Sequence, residues 1–128
     1  MRPENWGPPL WHKMHMKTFD YPDNPTDRDK INVIRYFKNI PNSNMPCEKC
    51  KIHYKRELSV SPIENVVYSR KSLIKWLIDL HNKVNVRLGK PIFTYRQAYA
   101  KYDKSNVDAL LLPSLICASL LIFIGCKR

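Results

Sequence analysis

Glycine is scarce here, with 3 residues in 128. No GxGxxG or GxxxxGK[ST] pattern occurs, which excludes a glycine-rich turn cradling phosphates, and with it a Rossmann or P-loop nucleotide site. Any nucleotide bound by this chain must be gripped by side chains and by stacking. Long runs of one charge are missing too. The net charge is +11, from 22 Lys and Arg against 11 Asp and Glu, yet the basic residues never run longer than pairs such as Lys55-Arg56 and Arg70-Lys71. Dispersed charge reads as a solvated surface, so no nucleic-acid partner is expected. An apolar leader is also lacking: Arg2, Glu4 and three prolines interrupt the first eleven residues. The expectation is that the folded part stays on the side of the membrane where it is made.

Cysteine is sparse as well. Cys47 and Cys50 form one C-x-x-C, while Cys117 and Cys126 sit in an apolar tail and read as packing residues. A single close pair in a chain without a secretory signal points to redox chemistry more than to a structural staple. The alternative is a zinc- or nucleic-acid-binding adaptor, with two of His12, His15, His53 and His81 completing half a zinc site. No bound metal is expected.

What is present reads as helix. With 44% hydrophobic and 26% charged residues, the composition is that of a folded globular chain. Trp6-Gly7-Pro8-Pro9-Leu10-Trp11 resembles a helix start, because proline is tolerated in a first turn. That helix runs to about Phe19, and Tyr21-Pro22-Asp23-Asn24-Pro25 ends it. Thr26 suits an N-cap, with Asp27 and Asp29 in the first turn and Ile31, Ile34 and Phe37 expected to face a core. Residues 40–46 read as a loop leading to the cysteine pair, and Pro46 to about Leu58 as a short helix. Residues 59–68 read as loop. Ser69 or Ser72 caps the longest helix, whose apolar stripe is Leu73, Trp76, Leu77, Leu80, Val84 and Leu88. Gly89 and Pro91 stop it, and Thr94 caps a last short helix through Tyr102.

The expected fold is therefore all-α, with four main helices and a short fifth in a domain of residues 1–103, then a linker over 104–108. Residues 109–126 carry no charge. At 1.5 Å per residue they make about 27 Å of helix, close to the ~30 Å hydrocarbon core, and are expected to form a C-terminal transmembrane anchor.

Two constellations carry chemistry. A C-x-x-C at a helix N-terminus puts its first sulfur near unpaired amide donors and the positive dipole end, which favours thiolate; Lys49 and Lys51 push the same way. No strand pattern precedes the pair, so a thioredoxin-like βαβ setting is excluded. On the long helix, His81, Val84, Asn85 and Leu88 share one face, with Lys90 just past its end. Trp11 and His15 repeat an i, i+4 pairing on the first helix. Polar rings and amides on otherwise apolar faces suggest an anionic ligand held between helices.

In order and spacing, Trp11-x-x-Met14-His15, Tyr21-Pro22-Asp23-x-Pro25-Thr26, Pro46-Cys47-x-x-Cys50 and Trp76-Leu77-x-x-Leu80-His81-Asn82-x-Val84-Asn85-x-x-Leu88-Gly89-Lys90-Pro91 resemble the Erv/ALR sulfhydryl oxidases over roughly residues 6–95. The resemblance implies a four-helix bundle holding FAD, with a fifth short helix, as a homodimer. It implies Cys47 and Cys50 as the catalytic pair, with Cys47 exchanging disulfides with substrate and Cys50 closer to the flavin. Gly7, Trp11, His15 and Tyr21 match positions lining FAD, and His81, Asn82, Val84, Asn85, Leu88 and Lys90 its adenine and phosphate side, with His53 bordering the flavin.

The implied reaction takes electrons from a protein dithiol, such as a thioredoxin-like or viral carrier, through FAD to dioxygen, giving hydrogen peroxide. Cellular members often carry a further disulfide where this chain has Ile78 and Tyr95, and a shuttle cysteine pair that is lacking here. A minimal domain with an apolar tail resembles the viral branch. That suggests a virion or host intracellular membrane, with the catalytic domain facing the cytosol, and a role at the start of a viral disulfide relay.

Overall fold

The computed structural model describes residues 2–105. In order come α1 (Pro3–Phe19), α2 (Asp27–Ser43), α3 (Glu48–Val60), a 3-10 turn (Ile63–Asn65), α4 (Arg70–Arg87) and α5 (Tyr95–Tyr102). No strand occurs among the described residues, in line with the all-α expectation. The expected transmembrane segment, residues 109–126, lies outside the described residues; among those described, no helix is long and apolar enough to cross a membrane. The chain divides into two compact units, residues 1–95 and 96–128. The first holds α1–α4.

Within that unit α1 packs on α4 and α2 on α3, around a core that includes Met14, Phe37, Ile40, Ile63, Leu73 and Leu77. α4 buries Leu73, Ile74, Trp76, Leu77, Ile78 and Leu80 in its first three turns. Its stripe opens beyond Leu80: Val84 is half-buried, and Leu88, the C-cap residue, is 56% exposed.

Three local expectations are corrected. α1 begins at Pro3, a turn earlier than Trp6. Proline at the first helical position costs nothing there, and the acceptors that Pro8 and Pro9 leave unused belong to the exposed Glu4 and Asn5, where water can serve. α2 continues through Pro41 to Ser43 instead of ending in a loop at Ile40. Proline lacks the N–H that would reach the Phe37 carbonyl four residues back, and the Tyr54 hydroxyl donates to that carbonyl instead, at 2.7 Å. Ile31 is 54% exposed; the buried row of α2 is Val33, Phe37, Ile40 and Pro41. The loop before α4 contributes more than a connection, since Ile63 on its 3-10 turn is fully buried.

Thr26 closes a reciprocal capping box. Its hydroxyl accepts from the Asp29 amide at 3.1 Å, and its own amide donates to the Asp29 carboxylate at 2.9 Å. Thr26→Ala is expected to destabilise the fold by about 1 kcal/mol, a fall of roughly 4–8 °C in Tm by thermal unfolding. The Tyr95 hydroxyl donates to Asp79. Asp79 also pairs with Lys75 at 2.9 Å.

Candidate active site

Cys47 is the N-cap of α3, in extended conformation, and its Sγ accepts the Cys50 amide at 3.2 Å. The two cysteines are joined as a disulfide with Cα atoms 5.2 Å apart. Both are half-buried, and Cys50 packs against the core. The helix N-terminus thus holds the redox pair as the motif predicts, with one sulfur receiving a backbone donor and the other turned inward. Of the two flanking lysines, Lys51 is engaged by Glu48 at 3.0 Å. Lys49 forms no ion pair among the described residues.

The second constellation assembles where α1 crosses α4. Trp11 and His81 stack face to face, with ring centroids 3.9 Å apart and planes within 6°. His15 Nε2 lies 2.8 Å from His81 Nδ1, a hydrogen bond in which one ring donates and the other accepts. Phe93 closes the cluster edge-on to His15 at 5.5 Å and tilted against His81 at 5.7 Å. Sequence reasoning missed Phe93. Its only signal is an aromatic residue shortly after the Gly89-Lys90-Pro91 stop.

The amides on α4 divide their roles. Asn82 Nδ2 donates to the Phe93 carbonyl at 2.7 Å, and the Phe93 amide donates back to Asn82 Oδ1 at 2.6 Å. Asn82 is thus occupied in holding the chain after α4 against the helix. Asn85 is buried; its Nδ2 donates to Asn82 Oδ1 at 3.3 Å, and its backbone carbonyl accepts the Lys90 amide at 2.8 Å. Gly89, at φ 70°, makes that reversal in a conformation side chains disfavour. The Lys90 side chain is exposed.

Gly7 lies one turn before Trp11 on the same row of α1, and a Cβ added there would meet nothing within 4 Å. Next to it, Trp6 Nε1 is buried without a hydrogen-bond partner among the described residues. Tyr21 is buried, and its hydroxyl donates to the Val67 carbonyl at 2.7 Å. Burial, then the Asp29 carboxylate, push that phenol above its ordinary range. The structure therefore gives Tyr21 a clear structural task. His53 stands half-buried on α3, one turn after Cys50. The zinc alternative finds no support: the two cysteines bond to each other, and among the described residues no three His, Cys, Asp or Glu side chains gather as a metal set.

Residues 8–104 match the profile of the Erv1 / Alr family. A probable FAD-linked sulfhydryl oxidase of Acanthamoeba polyphaga mimivirus is 40% identical over 106 residues, covering 82% of this chain and 73% of its own length. The FAD-linked sulfhydryl oxidase ERV1 of Oryza sativa is 32% identical over 79% of this chain, which spans half of that longer protein. Among solved structures, the FAD-binding domain of Erv1 from Saccharomyces cerevisiae superposes with a TM-score of 0.74 at 27% identity, covering 80% of this chain and 95% of that domain. Profile, relatives and fold agree, and the chain belongs to the Erv1 / Alr family.

Proposed function

We propose that this chain is an FAD-dependent sulfhydryl oxidase that makes disulfides in protein dithiols at Cys47–Cys50, with dioxygen as the final acceptor and hydrogen peroxide as product. The observation that carries it is the Cys47–Cys50 disulfide at the N-terminus of α3, with Cys50 packed inward. The residues present suit a flavin nucleotide. Trp6 Nε1 is a buried donor with no described partner, the space beside Gly7 is open, and Trp11, His81 and Phe93 offer aromatic surface. Trp11, His15, His81, Val84, Asn85 and Leu88 would hold the ring systems, and Lys90 the phosphates. Asn82 acts through Phe93 as a positioning residue, and Tyr21 through the packing around Val67. When bound, FAD supplies a two-electron acceptor that dioxygen regenerates.

The chain's own part is thiol–disulfide exchange. A substrate thiolate attacks Cys47 Sγ; a mixed disulfide forms, and Cys50 leaves as thiolate. The second substrate thiol, as thiolate, attacks the substrate sulfur of that mixed disulfide, the substrate disulfide forms, and Cys47 leaves. The substrate has lost two electrons and two protons, and the cysteine pair holds the electrons. The Cys50 amide at 3.2 Å and the positive end of α3 stabilise Cys47 as thiolate, and a better-stabilised thiolate is the better leaving group in the second step. Oxygen consumption driven by dithiothreitol should vanish in Cys47→Ser. Survival at the wild-type rate would defeat the assignment.

Gly7→Ala separates folding from cofactor binding. Alanine is favoured over glycine inside a helix by about 0.5–1 kcal/mol, and the new methyl meets no protein atom. The variant should be slightly more stable without FAD yet retain less of it; undiminished FAD content would remove Gly7 from the site.

The apolar run at residues 109–126 supports a membrane anchor, the kinship with the mimivirus protein supports a role in a viral disulfide relay, and homodimerisation follows the family. Removing residues 109–128 should release an active enzyme from membranes. An inactive product would assign the tail to the fold.

A further inference from the structure

Along α3, Lys49, His53 and Arg56 recur at steps of four and three and so share one face, beside the row that carries Cys50. Glu57, one turn beyond His53, pairs with Lys83 of α4 at 3.2 Å, a direct link between the two helices. His53 lies one turn before Glu57 on α3 and Arg87 one turn beyond Lys83 on α4, and the charge of Arg87 reaches the imidazole. The imidazole registers this: burial first, then the charges of Arg87, Arg56 and Lys49, hold it below its usual range against the single opposition of Glu57. Three cations thus act electrostatically on a residue one turn from the redox pair.

Their partners matter more than their number. Lys51 and Lys83 are neutralised by Glu48 and Glu57. Lys49, Arg56 and Arg87 are exposed, and none forms an ion pair with a described residue. Like charges held together without counter-charge repel one another, and an anionic partner relieves that repulsion. Their exposure sets them apart from the buried and half-buried His15, His81 and Asn85 of the cofactor cluster.

We propose that this face of α3 and α4 docks an acidic segment of the substrate protein next to its dithiol, so that the enzyme selects dithiols flanked by Asp and Glu. The proposal rests on the oxidase reading and names its substrate class. The same positive potential favours the thiolate form of the incoming sulfur.

Three synthetic C-x-x-C peptides, flanked by Glu, Ser or Lys, test it. The purified holoenzyme should oxidise the Glu peptide with a kcat/KM about tenfold to a hundredfold above that of the Lys peptide at low ionic strength. The gap should narrow as salt shortens the screening length. In Arg56→Gln/Arg87→Gln the ratio should fall to about threefold or less, with FAD content and dithiothreitol turnover unchanged, and Arg56→Lys/Arg87→Lys should restore it. Equal kcat/KM for the Glu and Lys peptides in the wild type overturns the proposal, as does a ratio that survives in the Gln pair. Loss of FAD from the Gln pair would overturn it by assigning the arginines to the cofactor. A single-stranded oligonucleotide at physiological salt should leave the Glu-peptide rate unchanged; inhibition that disappears in the Gln pair would assign the face to nucleic acid. Failure of the wild type to oxidise dithiothreitol would instead defeat the oxidase reading itself.

Discussion

Cys50→Ser is expected to abolish dithiol oxidation, by at least about a thousandfold, while FAD stays bound. A thousandfold loss corresponds to roughly 4 kcal/mol in the barrier, and the chemistry supports a loss of that size because a hydroxyl cannot take part in the disulfide. Without the Cys47–Cys50 bond there is no sulfur to leave when a substrate thiolate meets Cys47, so no mixed disulfide forms, the substrate dithiol stays reduced and Cys47 remains a free thiol. Retention of FAD follows from the separation of roles. The aromatic and amide cluster sits on α1, α4 and the segment reaching Phe93, whereas Cys50 belongs to α3. Flavin absorbance per chain and oxygen uptake, measured on the same preparation, read out both halves. A Cys50→Ser protein that has lost its flavin would mean that the sulfur holds the cofactor; one that still turns over would remove Cys50 from the reaction.

His81→Ala should do the reverse, lowering FAD occupancy about tenfold to a hundredfold while leaving the disulfide intact. His81 is the hub of the cluster: it stacks on Trp11, bonds to His15 and packs on Phe93. An aromatic pair contributes about 0.5–1.5 kcal/mol beyond its buried area, and stranding a buried polar partner costs about 1–3 kcal/mol. Together these exceed the 1.4 kcal/mol that separates each tenfold step in affinity. His81→Phe keeps a ring against Trp11 but cannot reach His15, and should fall between wild type and Ala. The rise in Tm on adding FAD gives the comparison directly, because a ligand that binds only the native state stabilises it in proportion to the logarithm of one plus the ratio of free ligand to Kd. Full FAD content in the Ala variant would remove this cluster from cofactor binding.

The parts of this protein legible in the sequence are those governed by local chemistry. Thr26 with Asp27 and Asp29 announces a helix start, Gly89 and Pro91 announce a helix end, and the long stripe of α4 follows helical periodicity. The i, i+4 pairs Trp11/His15 and His81/Asn85 were each readable because polar groups on an apolar face need a purpose; that the two rows meet at His81 was not. Less legible were features decided by tertiary partners. Pro41 looks like a helix terminator until Tyr54, thirteen residues on, supplies a hydroxyl to the carbonyl the proline leaves bare. Ile31 fits a helical row as well as Val33 does, and only the packing of α2 selects the row that is buried. Asn82 sits within the motif that resembles a cofactor contact, yet its amide is matched to the Phe93 backbone, a pairing eleven residues apart that no periodicity reveals. Tyr21 likewise meets the Val67 carbonyl across two helices and a loop. The cation face of α3 and α4 was hidden in a dispersed charge pattern, because its members come from two helices and become a cluster only once Glu57 meets Lys83.

Electrons must leave the cysteine pair for a flavin held in the same small domain. Adding dithiothreitol in the absence of oxygen to the purified protein, while following its visible absorbance, tests that directly. A yellow protein that bleaches with wild-type cysteines, recovers its colour in air, and stays yellow as Cys50→Ser is the predicted result. A colourless protein, or a Cys50→Ser flavin that bleaches as fast as the wild type, would contradict it.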